Sequence, residues 1–208
     1  MNGVNIRMFP LGELSTNCYV VWDNPAQALV IDPADSADTI LAVIEREGLT
    51  LQAVVLSHAH FDHMLAAEAV CRATGAPLWI GAGDKEALGD PQRNLSGWFS
   101  ESVSLVLSAD RSLSEGDCIS LGNASLTVWE TPGHTPGCIC LVGEQVLFSG
   151  DTLFCGSIGR IDFPGGDVEA IIASLRRLTA LPGDVAVYSG HGPVTTIGRE
   201  KATNPYLR

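Results

Sequence analysis

The sequence predicts an α/β fold in which sheets are covered on the outside by helices. Short apolar runs typical of strands occur in both halves of the chain, and each half also contains amphipathic helix patterns. The run Leu51–Leu56 is almost entirely apolar, which is typical of a strand buried on both faces. Such a strand needs helices or a second sheet on each side, and this favours layered sheets with helices outside.

The first half of the chain predicts three short strands followed by alternating helices and strands. Turn residues such as Gly12 separate the first strands and predict a meander. Asp35 or Ser36 can cap the first helix, and Gly48 and Gly75 are placed to end the two helices. The predicted strands are 5–10, 18–22, 28–31, 51–56 and 77–80, and the predicted helices are 36–47 and 66–74.

The second half begins with an irregular stretch, residues 83–100, that contains Trp98 and Phe99. It is interpreted either as a substrate-facing loop or as a surface loop held down by these aromatics, and both interpretations stay open. Beyond it, Asp167 predicts the cap of an amphipathic helix. The predicted strands are 103–107, 126–130, 139–142, 145–149 and 185–188, and the predicted helices are 167–180 and 195–201.

Length and composition predict a single domain, residues 1–208. With 208 residues and 46% hydrophobic content, the chain can bury a substantial core. No apolar run has the length of a membrane span, and residues 1–10 lack a signal-peptide pattern, so we expect a cytoplasmic protein. The six cysteines form no CxxC pair, which fits a reducing compartment. The net charge of -12, without a basic patch, argues against nucleic acid or an anionic membrane as partner.

Residues 58–63, with the sequence HAHFDH, place three imidazoles and a carboxylate in six consecutive positions. Desolvating such a group is costly unless a cation gathers it, so a metal site is the natural interpretation. On spacing alone a solvated polar loop stays open, because this pattern also occurs in ordinary loops.

Four predicted strands end shortly before a ligand-type residue. Glycine- and proline-rich turns at these ends aim a side chain towards a sheet edge, where sites are commonly assembled. All five histidines of the chain lie in such positions, whereas surface or core histidines would also occur elsewhere. The candidate ligands are His58, His60, Asp62, His63, His134, Asp151 and His191. Seven ligands are too many for one tetrahedral zinc and suit two metal ions that share a bridging carboxylate.

These residues, in this order, resemble the five-part signature of the metallo-β-lactamase superfamily over almost the whole chain. The resemblance implies an αββα sandwich, with two mixed β-sheets, helices outside and a dinuclear site along one edge. It implies two divalent metal ions per chain, with zinc expected and iron or manganese as alternatives. It assigns the first metal to His58, His60 and His134, the second metal to Asp62, His63 and His191, and the bridging position to Asp151.

Further segments resemble type II glyoxalases, which are hydroxyacylglutathione hydrolases. Residues 131–137 (TPGHTPG) and 149–154 (SGDTLF) are similar to that group. Three others resemble its small single-domain members, namely residues 159–167 (GRIDFPGGD), 190–193 (GHGP) and 204–207 (NPYL). The resemblance therefore implies hydrolysis of a small-molecule thioester such as S-lactoylglutathione.

The same resemblance suggests roles for individual residues. It implies that Asp62 and Asp151 are catalytic and that Arg160 binds the substrate near its glycine carboxylate. A solvated or ion-paired loop arginine is an equally open interpretation of Arg160. Two features depart from the family: Leu65 replaces a usual glycine, and the helical domain with which larger glyoxalases bind glutathione is missing from the sequence.

Two other functions remain open at this stage. Persulfide dioxygenases resemble the chain in a Gly-Arg-x-Asp-Phe stretch, and their single iron would correspond to His58, His134 and Asp151. A metal-holding domain without turnover is the second alternative, although a complete ligand set favours catalysis. A β-lactamase is less expected, because such enzymes are usually exported and no signal peptide is visible.

Overall fold

The computed structural model describes residues 4–99 and 104–207, which form two six-stranded sheets and a small hairpin. The first sheet consists, in spatial order, of β1 (Asn5–Leu11), β2 (Thr16–Trp22), β3 (Ala28–Ile31), β4 (Leu51–Leu56), β5 (Leu78–Gly81) and β6 (Arg111–Leu113). The second sheet consists, in spatial order from one edge to the other, of β7 (Cys118–Ser120), β8 (Ser125–Glu130), β9 (Ile139–Val142), β10 (Val146–Gly150), β13 (Ala186–Ser189) and β14 (Thr195–Thr196). The hairpin pairs β11 (Leu153–Phe154) with β12 (Ser157–Ile158).

Both sheets are mixed. Strands β1 to β3 form the predicted antiparallel meander, and β3 to β6 run parallel to one another. In the second sheet β10 and β13 are parallel, and the other neighbours are antiparallel. The helices are α1 (Ala37–Arg46), α2 (Ala67–Thr74), α3 (Ser96–Phe99), α4 (Val168–Leu178) and α5 (Ile197–Thr203).

The hydrophobic core consists of three clusters of buried side chains, because strand side chains alternate between the two faces of a sheet. In β3, Ala28 and Val30 face α1 and α2, whereas Leu29 and Ile31 face the second sheet. A third cluster packs α4 and α5 against the outer face of the second sheet. The layer order is therefore helices, sheet, sheet, helices, as the fold prediction requires.

One predicted strand is wrong. Residue 103 lies outside the described residues, and residues 104–107 form no strand. Leu105 and Leu107 pack on the core while their neighbours face solvent, so the alternation reflects burial of every second side chain. The backbone of this segment bonds instead to the preceding loop, through Leu88 and Asn94.

The other differences concern short elements and helix starts. Sequence periodicity missed five strands of two or three residues, namely β6, β7, β11, β12 and β14. The last helix begins at Ile197 and not at the predicted residue 195, because Thr195 and Thr196 pair with β13. The Thr196 hydroxyl caps this helix by accepting from Arg199 N. Asp167 caps α4 as predicted, by accepting from the N–H groups of two residues in its first turn.

No helix in the described part of the chain combines the length and apolarity needed to cross a bilayer. All six cysteines are described, and all are free thiols.

Candidate metal centre

The seven candidate ligands meet at one edge of the paired sheets. Strands β4, β8, β10 and β13 all end there, and each is followed within four residues by a histidine or aspartate. The start of β2 contacts the second half of the chain at this point: Asn17 N donates to Gly190 O at 2.7 Å, and Thr16 pairs with His191. The two sheets are thus tied together beside the ligands.

His58, His60 and His134 form a buried cluster of three imidazoles, called here the first triad. His60 Nδ1 lies 3.1 Å from His58 Nε2 and 2.9 Å from His134 Nε2. His134 Nδ1 donates to the carbonyl oxygen of Arg160 at 2.6 Å, so in the neutral imidazole Nε2 keeps its lone pair. The nitrogens that face one another are therefore suited to share a cation.

Asp62, His63 and His191 form the second triad. His191 Nε2 lies 3.3 Å from Asp62 Oδ2, and His63 Nε2 lies 3.6 Å from the same oxygen. Asp151 lies between the triads: Oδ1 is 3.3 Å from His63 Nε2, and Oδ2 is 3.6 Å from both His134 Nε2 and His191 Nε2. Asp151 is thus placed as a bridging carboxylate would be.

Three buried ligand atoms test whether a cation fits. Within the described residues His60 Nε2, His63 Nε2 and Asp151 Oδ1 make no hydrogen bond, although the last two form an ion pair at 3.3 Å. Buried polar atoms without a hydrogen bond are costly, and bound cations would satisfy them. Gly190 closes the site, because a Cβ there would lie 2.0 Å from Asp151 Oδ1. The imidazole and carboxylate donors match a divalent metal ion such as zinc or iron.

Comparison with known proteins supports this interpretation. A sequence model of the metallo-beta-lactamase superfamily matches residues 11–191. The chain belongs to the metallo-β-lactamase superfamily. Hydroxyacylglutathione hydrolase GloC of Haemophilus influenzae is 35% identical over 98% of this chain and 98% of its own length.

Two solved structures extend the likeness to three dimensions. The crystal structure of BLEG-1 B3 metallo-beta-lactamase is 38% identical, with a TM-score of 0.91 over 98% of this chain and 99% of that chain. The crystal structure of TTHA1623 in a di-iron-bound form is 35% identical, with a TM-score of 0.87 over 97% of this chain and 100% of that chain. The family and the histidine and aspartate cluster together indicate a hydrolase-like protein with a divalent metal site.

The two triads of this superfamily member differ in their electrostatics. Burial, reinforced by the neighbouring His63, holds the pKa of His58 well below its usual value. Burial, with a contribution from His134, lowers the pKa of His60 to about 3. Both imidazoles therefore stay neutral near pH 7 and present lone pairs.

In the second triad carboxylates outweigh burial. Burial would lower the pKa of His63, but Asp62, Asp151 and the nearby Asp32 raise it well above its usual value. Burial would likewise raise the pKa of Asp62 and of Asp151, yet the histidine charges hold both below their usual range. The second triad is thus a group of opposite charges, whereas His58 and His60 of the first triad are neutral.

Sequence reasoning missed the residues that orient these ligands. Asp32, which is buried, accepts from Ser57 N and Ser57 Oγ at 2.7 Å each and from His63 Nδ1 at 3.0 Å. Ser57 Oγ in turn lies 3.0 Å from His58 Nδ1, and Thr16 Oγ1 donates to Asp62 Oδ2 at 2.7 Å. Such partners fix the ring orientation of metal-binding histidines. A signal was present, because Asp32 directly follows β3, as the ligands follow their strands.

Arg160 serves the site through its backbone. Its carbonyl oxygen orients His134, while its guanidinium pairs with both oxygens of Asp162 at 2.7 Å and lies 3.8 Å above the Phe163 ring. Glycine at position 159 allows the backbone before Arg160 to contact the backbone of Asp151, since a Cβ at Gly159 would lie 1.8 Å from Asp151 O. The side chain of Arg160 is 57% exposed at the rim of the site. The ion pair with Asp162 agrees with the interpretation of Arg160 as an ion-paired loop arginine. No contact among the described residues tests whether Arg160 binds a substrate.

A cavity of about 360 Å³ opens above the triads. Its polar floor is formed by ligands, and its walls are apolar. The wall residues are Leu14, Phe61, Leu95, Phe154, Ile158 and Phe163. Trp98 is 53% exposed and contacts Phe163 edge to face, with ring centroids 6.1 Å apart. Trp98 therefore packs against a wall residue of the cavity and does not hold its loop down by burial.

Leu65, which replaces the family's usual glycine, lines a neighbouring groove that shares Phe61 and Asp62 with the cavity. Its φ angle is not positive, so no glycine-specific conformation is needed there. The helix that follows begins at Ala67 without backbone strain at residue 65.

Proposed function

We propose that this protein hydrolyses thioesters with two divalent metal ions, most readily S-(2-hydroxyacyl)glutathione such as S-lactoylglutathione. The observation that carries the proposal is Asp151, whose two oxygens reach towards both triads at the floor of an apolar cavity. A full-length relative named hydroxyacylglutathione hydrolase supports this choice of substrate.

The ligand residues would divide the chemistry between them. When bound, the two ions would lower the pKa of an attacking water and offset charge on the carbonyl oxygen. Thr16, His63 and His191 all contact Oδ2 of Asp62, so we assign Oδ1 to orient the water and take up its proton. Phe61, Phe154 and Phe163 exclude solvent and pack on the acyl group.

The carrier thiol would extend towards Arg160 at the rim. Its guanidinium is exposed and paired with Asp162, and exposed ion pairs of this kind are weak because solvent screens them. A substrate carboxylate can therefore share the guanidinium with Asp162 at little cost.

Metal analysis with a substrate panel tests the proposal. Protein purified from a defined metal supply is expected to contain two ions per chain and to cleave S-lactoylglutathione faster than other thioesters, a lactone, a phosphodiester or a β-lactam. His58→Ala is expected to lose both metal and hydrolysis, because it removes one of three ligands of the first triad. Unchanged metal content and unchanged hydrolysis in this variant would contradict the proposal.

A mononuclear iron persulfide dioxygenase is the second candidate. The relative with two bound irons supports iron as a metal for this scaffold, and His58, His134 and Asp151 supply two histidines and one carboxylate. One iron per chain with oxygen uptake on glutathione persulfide would favour this candidate. Metal binding without turnover of any compound in the panel would favour a non-catalytic domain.

A further inference from the structure

Asp84 is a buried carboxylate outside the ligand set, and its three hydrogen bonds are all to the loops of the first triad. It follows β5 and is 1% exposed. It accepts from Ala59 N at 3.0 Å, from Thr135 Oγ1 at 2.7 Å and from Gly137 N at 2.8 Å. Three donors on one side chain match a carboxylate, which only accepts.

These donors belong to the two chain segments that provide the first triad. Ala59 lies between His58 and His60, and Thr135 directly follows His134. The segments are 75 residues apart in sequence, from residue 59 to residue 134, so their separation is set by tertiary contacts alone. One side chain therefore links the loop of two ligands to the loop of the third.

The glycines beside Asp84 show that this joint is closely packed. A Cβ on Gly137 would lie 2.1 Å from Asp84 N, and a Cβ on Gly83 would lie 2.8 Å from Pro136 O. Real side chains do not reach such distances, so the backbones meet directly and only glycine fits. A change in the hydrogen bonds of Asp84 is therefore expected to shift the His134 loop, because no free space separates the two backbones.

The fold does not depend on Asp84 to join these segments. Ile139 N also donates to Ser57 O at 2.9 Å, which links the same two segments through their backbones. Asp84 takes part in none of the ion pairs of the described residues, so the cost of burying it is offset by its three hydrogen bonds. Its contribution is the exact distance between the loops rather than their topology.

We propose that Asp84 is a positioning residue that sets the metal affinity of the first triad relative to the second. This inference rests on the two-metal centre of the proposed function. Among the described residues no member of the second triad donates to Asp84, and the residues that orient this triad are Asp32 and Thr16. Asp32 also reaches His58 through Ser57, whereas the three hydrogen bonds of Asp84 go to the first-triad segments.

Asp84→Asn tests this role, because asparagine keeps the shape but offers one acceptor oxygen to three donors. Changes in such outer partners typically weaken metal binding about 10–100-fold. We expect that loss at the first position and a change of less than about threefold at the second. Chelator competition gives the affinities, and occupancies in crystals measured at the metal absorption edge assign them to each position.

Two further variants serve as comparison. Thr135→Val removes one donor with little change of shape and is expected to weaken the first position about 3- to 10-fold. Asp110→Asn is the matched control, since Asp110 accepts from Leu78 N at 2.8 Å at the other end of β5 and is exposed. It is expected to bind both ions as the wild type does.

Equal losses at both positions in Asp84→Asn, or no loss at the first, would overturn the proposal. A purely structural role predicts equal losses, whereas positioning predicts a loss at one position. The readout is independent of turnover. If the wild type binds two ions and cleaves no thioester, the proposed function fails while the role of Asp84 is still decided by the affinities.

Discussion

The two triads share the segment that follows β4 but differ in burial and charge. The first triad is three imidazoles, each at most 3% exposed, and its loops are held by Asp84. The second triad combines a carboxylate with two histidines, and the His191 side chain is 29% exposed. Both triads therefore contribute to the floor of the cavity, but the first is the more deeply buried set and the second is the more exposed.

This difference assigns different tasks to the two halves. A buried set of imidazoles, two of which are held neutral, binds a cation with little rearrangement of charge, which suits a permanently held metal. A more exposed set that includes a carboxylate can hold a metal and also place that carboxylate next to a substrate. Four substitutions test this division, and they are given in order of decreasing expected effect.

Asp151→Asn removes the one carboxylate that reaches towards both halves. We expect loss of at least one metal ion and a fall in kcat/KM of roughly 100-fold or more, because small displacements of catalytic groups have effects of this size. Metal analysis and steady-state kinetics on S-lactoylglutathione measure both. Retention of two ions with nearly unchanged kcat/KM would show that the halves work independently.

Asp32→Asn acts mainly on the second half. Asp32 bonds His63 directly but reaches His58 only through Ser57. We expect metal affinity about 10–100-fold weaker at the second position, with a smaller loss at the first. Chelator competition provides the two affinities. The opposite order of losses would mean that the relay through Ser57 matters more than the direct hydrogen bond.

Thr16→Val removes the hydroxyl that donates to Asp62 Oδ2 at 2.7 Å. A hydrogen bond to a charged group contributes about 1.5–3 kcal/mol, and solvent at the partly exposed Asp62 replaces part of it, so a fall in kcat of roughly 5- to 20-fold is expected. Thr179→Val is the matched control, since its hydroxyl bonds only Arg176 O in an exposed helix end. Equal kcat values in the two variants would show that the Thr16 hydroxyl does not contribute to the activity.

Leu65→Gly restores the family's usual residue and should leave both halves unchanged. Because Leu65 has no positive φ and is half-buried, glycine gains no conformational relief and loses apolar contact. We expect unfolding free energy lower by about 1–2 kcal/mol and unchanged metal content. Denaturant unfolding and metal analysis check this. A change in metal content would show that residue 65 shapes the ligand loop.

The fold was largely predictable because its strands alternate or remain apolar over four or more residues. β3 and β4 are examples, and so are the amphipathic helices α1 and α4. Residues 104–107 show the limit of this signal: Leu105 and Leu107 alternate with exposed neighbours, yet no strand pairs with them. Periodicity reports which side chains are buried and does not report which backbone partner lies alongside.

The candidate ligands could be recognised from the amino-acid sequence alone, because histidine and aspartate after a strand end stand out without knowledge of the fold. His58, His134, Asp151 and His191 were found in this way, and the structure brings them together at one sheet edge. The groups that support them are visible only in the folded chain. Asp32 and Asp84 act on segments distant in sequence, and Arg160 contributes a backbone carbonyl that every residue type possesses. Such contacts depend on how the sheets pack, so no local pattern specifies them.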